Sequence, residues 1–483
     1  MKRINYFAMS LLASAALAFT GCSSEDLVGG ETNKNESGNF YMTLTIDASS
    51  ASNGTRTAQQ EEKDLGTTLE SNVNSGTFLI YEGNNLIYTK TMSQKEWDES
   101  KQPIGATNQV GKTTLKISVT NVKTDTQYKV YFLANQTAPA NPFTAIYAAP
   151  DGTDFTDFAG TYDTDNQFVM FNQNDKTTDA HGYTVKFTEA NKETPATLED
   201  NKQIKIERVV ARIDKPTTET TTIDPTDDDN EVTKANKNAI DSISLVSYAL
   251  SNLAKQTYLM QHWSPDWVLN IPFVPAAGYY FQTPTEFGDT KENAAPQWFK
   301  NVAKNYVFEN TASDEAYATK MYFKFKATLK DKSNADFKDG TFYRYEGKIY
   351  SSLQTIIDNF ETEGQANPFG IGVTKNDLVE ELGIDADGNL IDNEAKIKAF
   401  RVKYQIEVFE RGEMYYNTPV QDQFYTTKNS ILRNSIYQLN VKNVYQIGTD
   451  VPNGDPDDVK PFYYLNVEVT VNPWVLNKYD VDL

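Results

Sequence analysis

Residues 40–46 read Phe-Tyr-Met-Thr-Leu-Thr-Ile, so Phe40, Met42, Leu44 and Ile46 fall on one face of an extended chain and Tyr41, Thr43 and Thr45 on the other. A period of two suits a half-buried strand and cannot form the apolar stripe of a helix. The same signal recurs at 76–81, 86–91, 112–119, 128–134, 167–171 and 183–187, divided by clusters of Asn, Gly, Asp and Pro. That spacing predicts antiparallel sandwiches rather than βαβ units. The aromatic content agrees, because 28 Tyr and 26 Phe are residues that pack well on pleated surfaces.

A chain of 483 residues exceeds one ordinary domain. The strand candidate at 204–213, followed by a Thr- and Asp-rich stretch at 216–231, places a boundary near residue 203. The expected organisation is therefore a domain at 40–202 and another at 203–483. Second-domain strands are expected at 243–250, 257–260, 321–329, 342–350, 403–409, 435–441 and 463–471. An insertion at 351–399 reads as partly helical, since Leu353, Ile356, Ile357 and Phe360 have helical spacing, as do Leu378 and Leu382. The fold class is all-β, two antiparallel β-sandwich domains in tandem, with that partly helical insertion in the second. No internal sequence repeat is visible.

Charge and residue usage exclude several functions. With 45 basic against 66 acidic residues the net charge is −21, and a nucleic-acid partner would require a basic face. Two histidines and one cysteine supply no His/Cys metal site, no Ser/His/Asp triad and no disulfide framework. Asp385-Ala386-Asp387-Gly388-Asn389 departs from a calcium loop, with its Gly too early and Lys396 where a bidentate Glu is needed, and reads as a solvent turn. Asp227, Asp228, Asp229 and Glu231 read as solvated loop, and His181 and His262 as polar surface or packing residues. No carboxylate pair is singled out for glycoside chemistry. The chain is expected to be no enzyme and to need no metal or cofactor.

The N-terminus has its own layout. Met1-Lys2-Arg3 precedes an apolar run from Phe7 to Phe19, which ends at Thr20-Gly21-Cys22. Residues 1–21 read as a signal peptide, and Cys22 sits where a bacterial lipobox places the lipidated cysteine. Residues 22–39 then form a polar tether. The expectation is an exported lipoprotein, held on the outer membrane by its N-terminal lipid, with no spanning segment.

The lipobox, the segment Tyr128-Lys129-Val130-Tyr131-Phe132-Leu133-Ala134-Asn135, the strand Glu207-Arg208-Val209-Val210-Ala211-Arg212-Ile213 and the ending Val469-Thr470-Val471-Asn472-Pro473-Trp474 together resemble the fimbrillin family. These are the lipoprotein subunits of type V pili, and the resemblance lies towards the minor-fimbrium branch. It implies transthyretin-like sandwiches, removal of the first strand by an arginine-specific protease, and polymerisation with copies of itself by strand exchange. It also implies pilus anchor and tip subunits as partners, and a role in adhesion and biofilm formation. The insertion at 351–399 departs from a minimal fimbrillin.

The residues allow a compatible mechanism. Arg56 is the only arginine between Cys22 and Arg208, and it lies in Ser52-Asn53-Gly54-Thr55-Arg56-Thr57, a context suited to proteolysis. Cleavage between Arg56 and Thr57 would detach Phe40, Met42, Leu44 and Ile46, opening an apolar groove beside an unpaired edge. The alternative is that Arg56 is an ordinary loop residue. At the other end, Trp474, Leu476, Tyr479, Val481 and Leu483 keep the chain apolar to its last residue and form a candidate donor strand at 474–483. Residues 463–471 fit equally an edge strand of the second domain. Other classes consistent with the export signal are a pilus anchor or tip adhesin subunit, and a surface glycan-binding lipoprotein.

Overall fold

The computed structural model describes residues 39–48, 69–102, 112–148, 168–174, 182–225, 230–262, 279–280, 298–312, 315–422, 429–452, 465–472 and 478–481. The first half of the chain supplies β1 (Phe40–Asp47), β2 (Gly76–Glu82), β3 (Asn85–Met92), helix α1 (Gln94–Ser100), β4 (Lys112–Val119) and β5 (Gln127–Ala134). It continues with β6 (Ile146–Ala148), β7 (Met170–Asn172), β8 (Tyr183–Lys186), β9 (Ile204–Arg208) and β10 (Val210–Asp214). The main sheet runs β3-β2-β5-β7-β9-β1-β4, with β8 alongside β5. It wraps a core in which Phe78, Ile80, Trp97, Leu115, Val130, Phe132, Phe171 and Ile206 are buried. In β1 and β4 the alternation read in the sequence lets the strand give one face to this core, whereas β2, β7 and most of β5 are buried on both faces.

The second half builds a further sheet in the order Lys304–Phe308, β10, Ile436–Val444, Leu465–Asn472 and Lys478–Val481. A three-stranded sheet, Ile240–Ser251, Lys320–Leu329 and Glu413–Pro419, lies with it over a second core that includes Ile213, Phe323, Phe325, Tyr416 and Leu439. The insertion forms a lobe of its own. Helices Leu353–Thr362, Lys375–Leu382 and Glu394–Tyr404 pack against strands Phe342–Tyr345, Lys348–Tyr350 and Glu407–Phe409 around Leu353, Ile356, Leu378, Leu382 and Phe400. The all-β tandem architecture with a partly helical insertion is thus the one the sequence predicts. Among the described residues no helix is long and apolar enough to cross a membrane.

Several local expectations differ. Residues 204–213 are two strands rather than one: β9 pairs with β7 in the first sheet and β10 with Lys304–Phe308 in the second. The adjacent buried pair Val209-Val210 breaks the period of two, and the chain changes sheets there, a few residues past the boundary expected near residue 203. Residues 342–350 are a hairpin turning at Glu346 and Gly347, both with positive φ. Residues 403–409 begin as the end of a helix, which stops at Gln405 in the left-handed region (φ 52°). Helices Gln94–Ser100 and Glu231–Ala239 escape the sequence reading because each is short and buries little: only Trp97 in the first and Thr233 in the second.

Antiparallel pairing has a few parallel exceptions, concentrated where the chain passes between halves. β1 runs parallel to β9 at Ile46↔Ile204 and Asp47↔Lys205, and β10 runs parallel to Ile436–Val444 at Arg212↔Ile436 and Ile213↔Tyr437.

Candidate functional site: the slot of the first strand and its anchored loop

β1 lies inside the sheet, not at its edge. Every one of its residues is in antiparallel register with β4, from Phe40↔Val119 to Asp47↔Lys112. Its other side meets β9 and, further along, residue 196, where Thr43 N–H donates to the Ala196 carbonyl and Ala196 N–H donates to that of Tyr41, both at 2.8 Å. Phe40, Met42, Leu44 and Ile46 are each no more than 3% exposed, and Ala48 continues the row. The Phe40 ring stands edge-on to Phe187 at 5.8 Å. On the opposite face the Thr45 and Thr114 hydroxyls share a 2.8 Å hydrogen bond, and Lys116 lies over the Tyr41 ring. Burying four such side chains is worth about 6–12 kcal/mol at roughly 1.5–3 kcal/mol each. That is comparable to the whole stability of a typical domain, so a sheet deprived of this strand requires a replacement.

The two ends of the connection between β1 and β2 meet at one buried guanidinium. Arg208 donates through Nη2 to the Ala48 carbonyl (3.5 Å) and to Ser71 Oγ (2.9 Å), and through Nε to the Glu70 carbonyl (2.6 Å). Its Nη1 donates to Asn434 Oδ1 (2.7 Å), in the second half of the chain. Burial pulls its pKa down to about 10, with Glu70 opposing, so it stays charged at neutral pH.

The Glu70 carboxylate is fully buried. It accepts from Arg212 Nη1 at 2.8 and 3.1 Å and from the Tyr306 hydroxyl at 2.7 Å, with Lys304 at 3.4 Å. Burial works against the Arg212 charge, but the bidentate contact with Asp214 and the Glu70 carboxylate outweigh it and raise its pKa. Sequence reading singled out Arg208 and Arg212 only as part of a strand. The signal available was the rarity of arginine in an acidic chain; Glu70 gave none.

The other sequence-predicted residues are distributed as follows. Cys22, Arg56, Thr57, His181, Asp227, Asp228, Asp229, Trp474, Leu476 and Leu483 lie outside the described residues. Tyr479 and Val481 belong to Lys478–Val481, which pairs antiparallel with Leu465–Asn472 at Val469↔Tyr479 and Val467↔Val481 and forms the edge of its own sheet. Asp385 closes a turn on itself, its Oδ1 accepting from Asp387 N (2.9 Å) and Asn389 N (2.8 Å). His262 packs flat on Tyr258, with its Nε2 2.5 Å from the Phe143 carbonyl.

Residues 407–480 match the family profile described as the major fimbrial subunit protein, type IV, fimbrillin C-terminal region. This stretch is similar to a fimbrillin C-terminal region. The fimbrillin resemblance read from the sequence is thereby shown for that stretch, which holds the strands Ile436–Val444 and Leu465–Asn472 and all but the last residue of Lys478–Val481. No curated protein matches the chain. Among solved structures, a fimbrillin from Porphyromonas gingivalis is 13% identical with a TM-score of 0.41, the alignment covering 91% of this chain and 98% of that one. A fimbrial assembly protein from Parabacteroides distasonis is 12% identical (TM-score 0.34; 93% and 100% covered). The fimbrial anchor protein Mfa2 from Porphyromonas gingivalis is 9% identical (TM-score 0.25; 91% and 100% covered). Superpositions this loose establish no shared function, and the fimbrillin assignment rests on the C-terminal region.

Proposed function

We propose that this chain is a structural, non-enzymatic subunit of a surface fimbrium that polymerises by exchanging a strand into the β1 slot. In this reading the chain is exported, lipidated on Cys22, and carried to the outer membrane as a precursor. An arginine-specific protease cuts between Arg56 and Thr57, β1 leaves with the lipid, and the C-terminal strand of another copy fills the vacated place. Anchor and tip subunits would close the two ends of the polymer, and the fibre would serve adhesion.

One observation carries the proposal: an interior strand that completes the core is joined to the rest of its sheet through a segment containing Arg56. A second supports the choice of cleavage site. Of the six arginines downstream, Arg208, Arg212, Arg344, Arg401 and Arg433 are buried, and Arg411 is half-buried and ion-paired with Asp392 at 3.2 Å. A protease reading arginine therefore finds little else to cut. Lys478–Val481 suits a donor because an edge strand is hydrogen-bonded on one side only and leaves at lower cost than an interior one.

The test is to treat the purified precursor with an arginine-specific protease and follow oligomers by gel electrophoresis. A ladder is expected from the wild type and monomer alone from Arg56→Ala. Fibres of normal length from Arg56→Ala would overturn the protease step.

A further inference from the structure

The first sandwich carries an open cleft of about 530 Å³, built on strands that take no part in the slot. Its floor is aromatic: Tyr81 and Tyr131 stand edge-on at 5.5 Å, and Phe143 packs against them at 5.3 and 4.8 Å. Its rim is made of amides. Asn84 follows Gly83 in the two-residue turn between β2 and β3, a turn that Gly83 permits with φ +60°. Asn141 spends its oxygen on the Phe143 N–H (3.2 Å) and keeps its amide hydrogens. Leu86, 44% exposed, forms an apolar shoulder.

The second half of the chain supplies the remaining wall and holds it rigid. β6 pairs with Gln256–Tyr258, and Leu259 N–H donates to the Ala145 carbonyl. The buried Arg433 donates to the carbonyls of Tyr258 and Leu259 and to Glu309, which fixes the backbone before Met260, a lining residue. The Phe143 carbonyl is met by His262. Tyr131 is set from behind by Gly182, where any side chain would strike its ring within 2.5 Å.

None of the lining residues is charged, on a chain whose net charge is −21. A phosphate, a carboxylate or a metal ion would find no opposite charge among these lining residues. The Tyr81 and Tyr131 hydroxyls have no hydrogen-bond partner among the described residues, although both rings are only 8% exposed. Rings for the C–H face of a pyranose, and neutral amides and hydroxyls for its hydroxyl groups, are what an uncharged sugar needs. The volume lies in the usual range for a small-molecule site.

We propose that this cleft binds a neutral saccharide of one or two residues, independently of strand exchange. The experiment is saturation-transfer NMR on the full-length chain with mannose, galactose, N-acetylglucosamine and lactose. At least one should receive saturation on its ring C–H protons. Asn84→Ala/Asn141→Ala, which alters exposed side chains only, should weaken its binding at least tenfold, and Tyr81→Phe several-fold, with unchanged thermal melting and an unchanged polymer ladder. Transfer to none of the four sugars overturns the proposal. So does binding that the double variant leaves intact, or a cleft that takes an apolar peptide in preference to all four.

Discussion

Arg212 grips Glu70 across 142 residues of sequence, its Nη1 within 2.8 and 3.1 Å of the two carboxylate oxygens. This contact ties residue 70, downstream of Arg56 in the chain, to β10, the first strand of the second sheet. With Arg208 holding the Glu70 carbonyl and Ser71, the chain downstream of the proposed cut is expected to keep its place if everything upstream departs.

Glu70→Ala should therefore destabilise the protein strongly. Removing one member of a buried ion pair leaves the other uncompensated, at a cost of about 3–5 kcal/mol. Urea unfolding of the variant against wild type measures this, and a change under about 1 kcal/mol would mean that Arg212 is adequately served by Asp214 alone.

The slot should accept its own strand back. A synthetic peptide of residues 40–48 is expected to bind the protein trimmed at Arg56 and not the precursor, whose slot is filled. Leu44→Asp in the peptide places a charge in the core and should abolish binding. Fluorescence anisotropy with peptides 465–472 and 474–483 as competitors would rank the two C-terminal candidates.

Trimming should free β4. Its strand partner is β1 along its whole length; its other hydrogen bonds include Gln102 N–H on the Thr114 carbonyl (2.8 Å), the Tyr88 hydroxyl on the Ser118 carbonyl (2.8 Å), Lys112 Nζ on Gln203 Oε1 (3.2 Å) and the bridge Lys101↔Leu115. Amide exchange across residues 112–119 should accelerate at least tenfold in the trimmed monomer and recover in the polymer. Unchanged exchange would show that β4 stands without β1.

Helix α1, which leads into those Lys101 and Gln102 contacts, carries an acid-sensitive cap. The Glu96 carboxylate accepts from Lys90 and from the Ser93 N–H and hydroxyl, which hold its pKa down at about 2. Because the folded value lies below the unfolded one, the contribution is complete above about pH 4.5 and is lost as pH falls towards 2. Carboxyl NMR titration should place the Glu96 midpoint near 2, and in Glu96→Gln the acid loosening of α1 over that window should disappear.

Deleting residues 476–483 removes an edge strand paired on one side only. Scanning calorimetry should show the melting temperature falling by less than about 4 °C, roughly 1 kcal/mol for a domain of this size, while the ladder after trimming is abolished. A fall of 10 °C or so with an intact ladder would assign the tail to its own domain and the donor to another segment.

The periodicity at 40–46, 112–119 and 321–329 was legible because burial of one face leaves an imprint every second residue, and the Leu353 to Leu382 spacing revealed the helical insertion for the corresponding reason. The strand Glu413–Pro419 left no such trace, since Met414, Tyr415 and Tyr416 are buried in succession and show no alternation. The cleft was equally hidden: Tyr81, Tyr131, Phe143 and Met260 lie far apart in the chain and are ordinary core residues until brought together.

By itself, then, the sequence determined what is local: an all-β chain, the strand at 40–46 with its apolar face, the isolated Arg56 and the fimbrillin-like order of motifs. Only the tertiary structure decided that β1 is interior, that the chain changes sheets at Val209-Val210, and that Glu70 belongs with Arg212 and Tyr306. The physical reason is the range of the contacts. Alternation is enforced by neighbours two residues apart, whereas a buried charge is placed by whichever partner satisfies it, and here that partner lies 142 or 236 positions away.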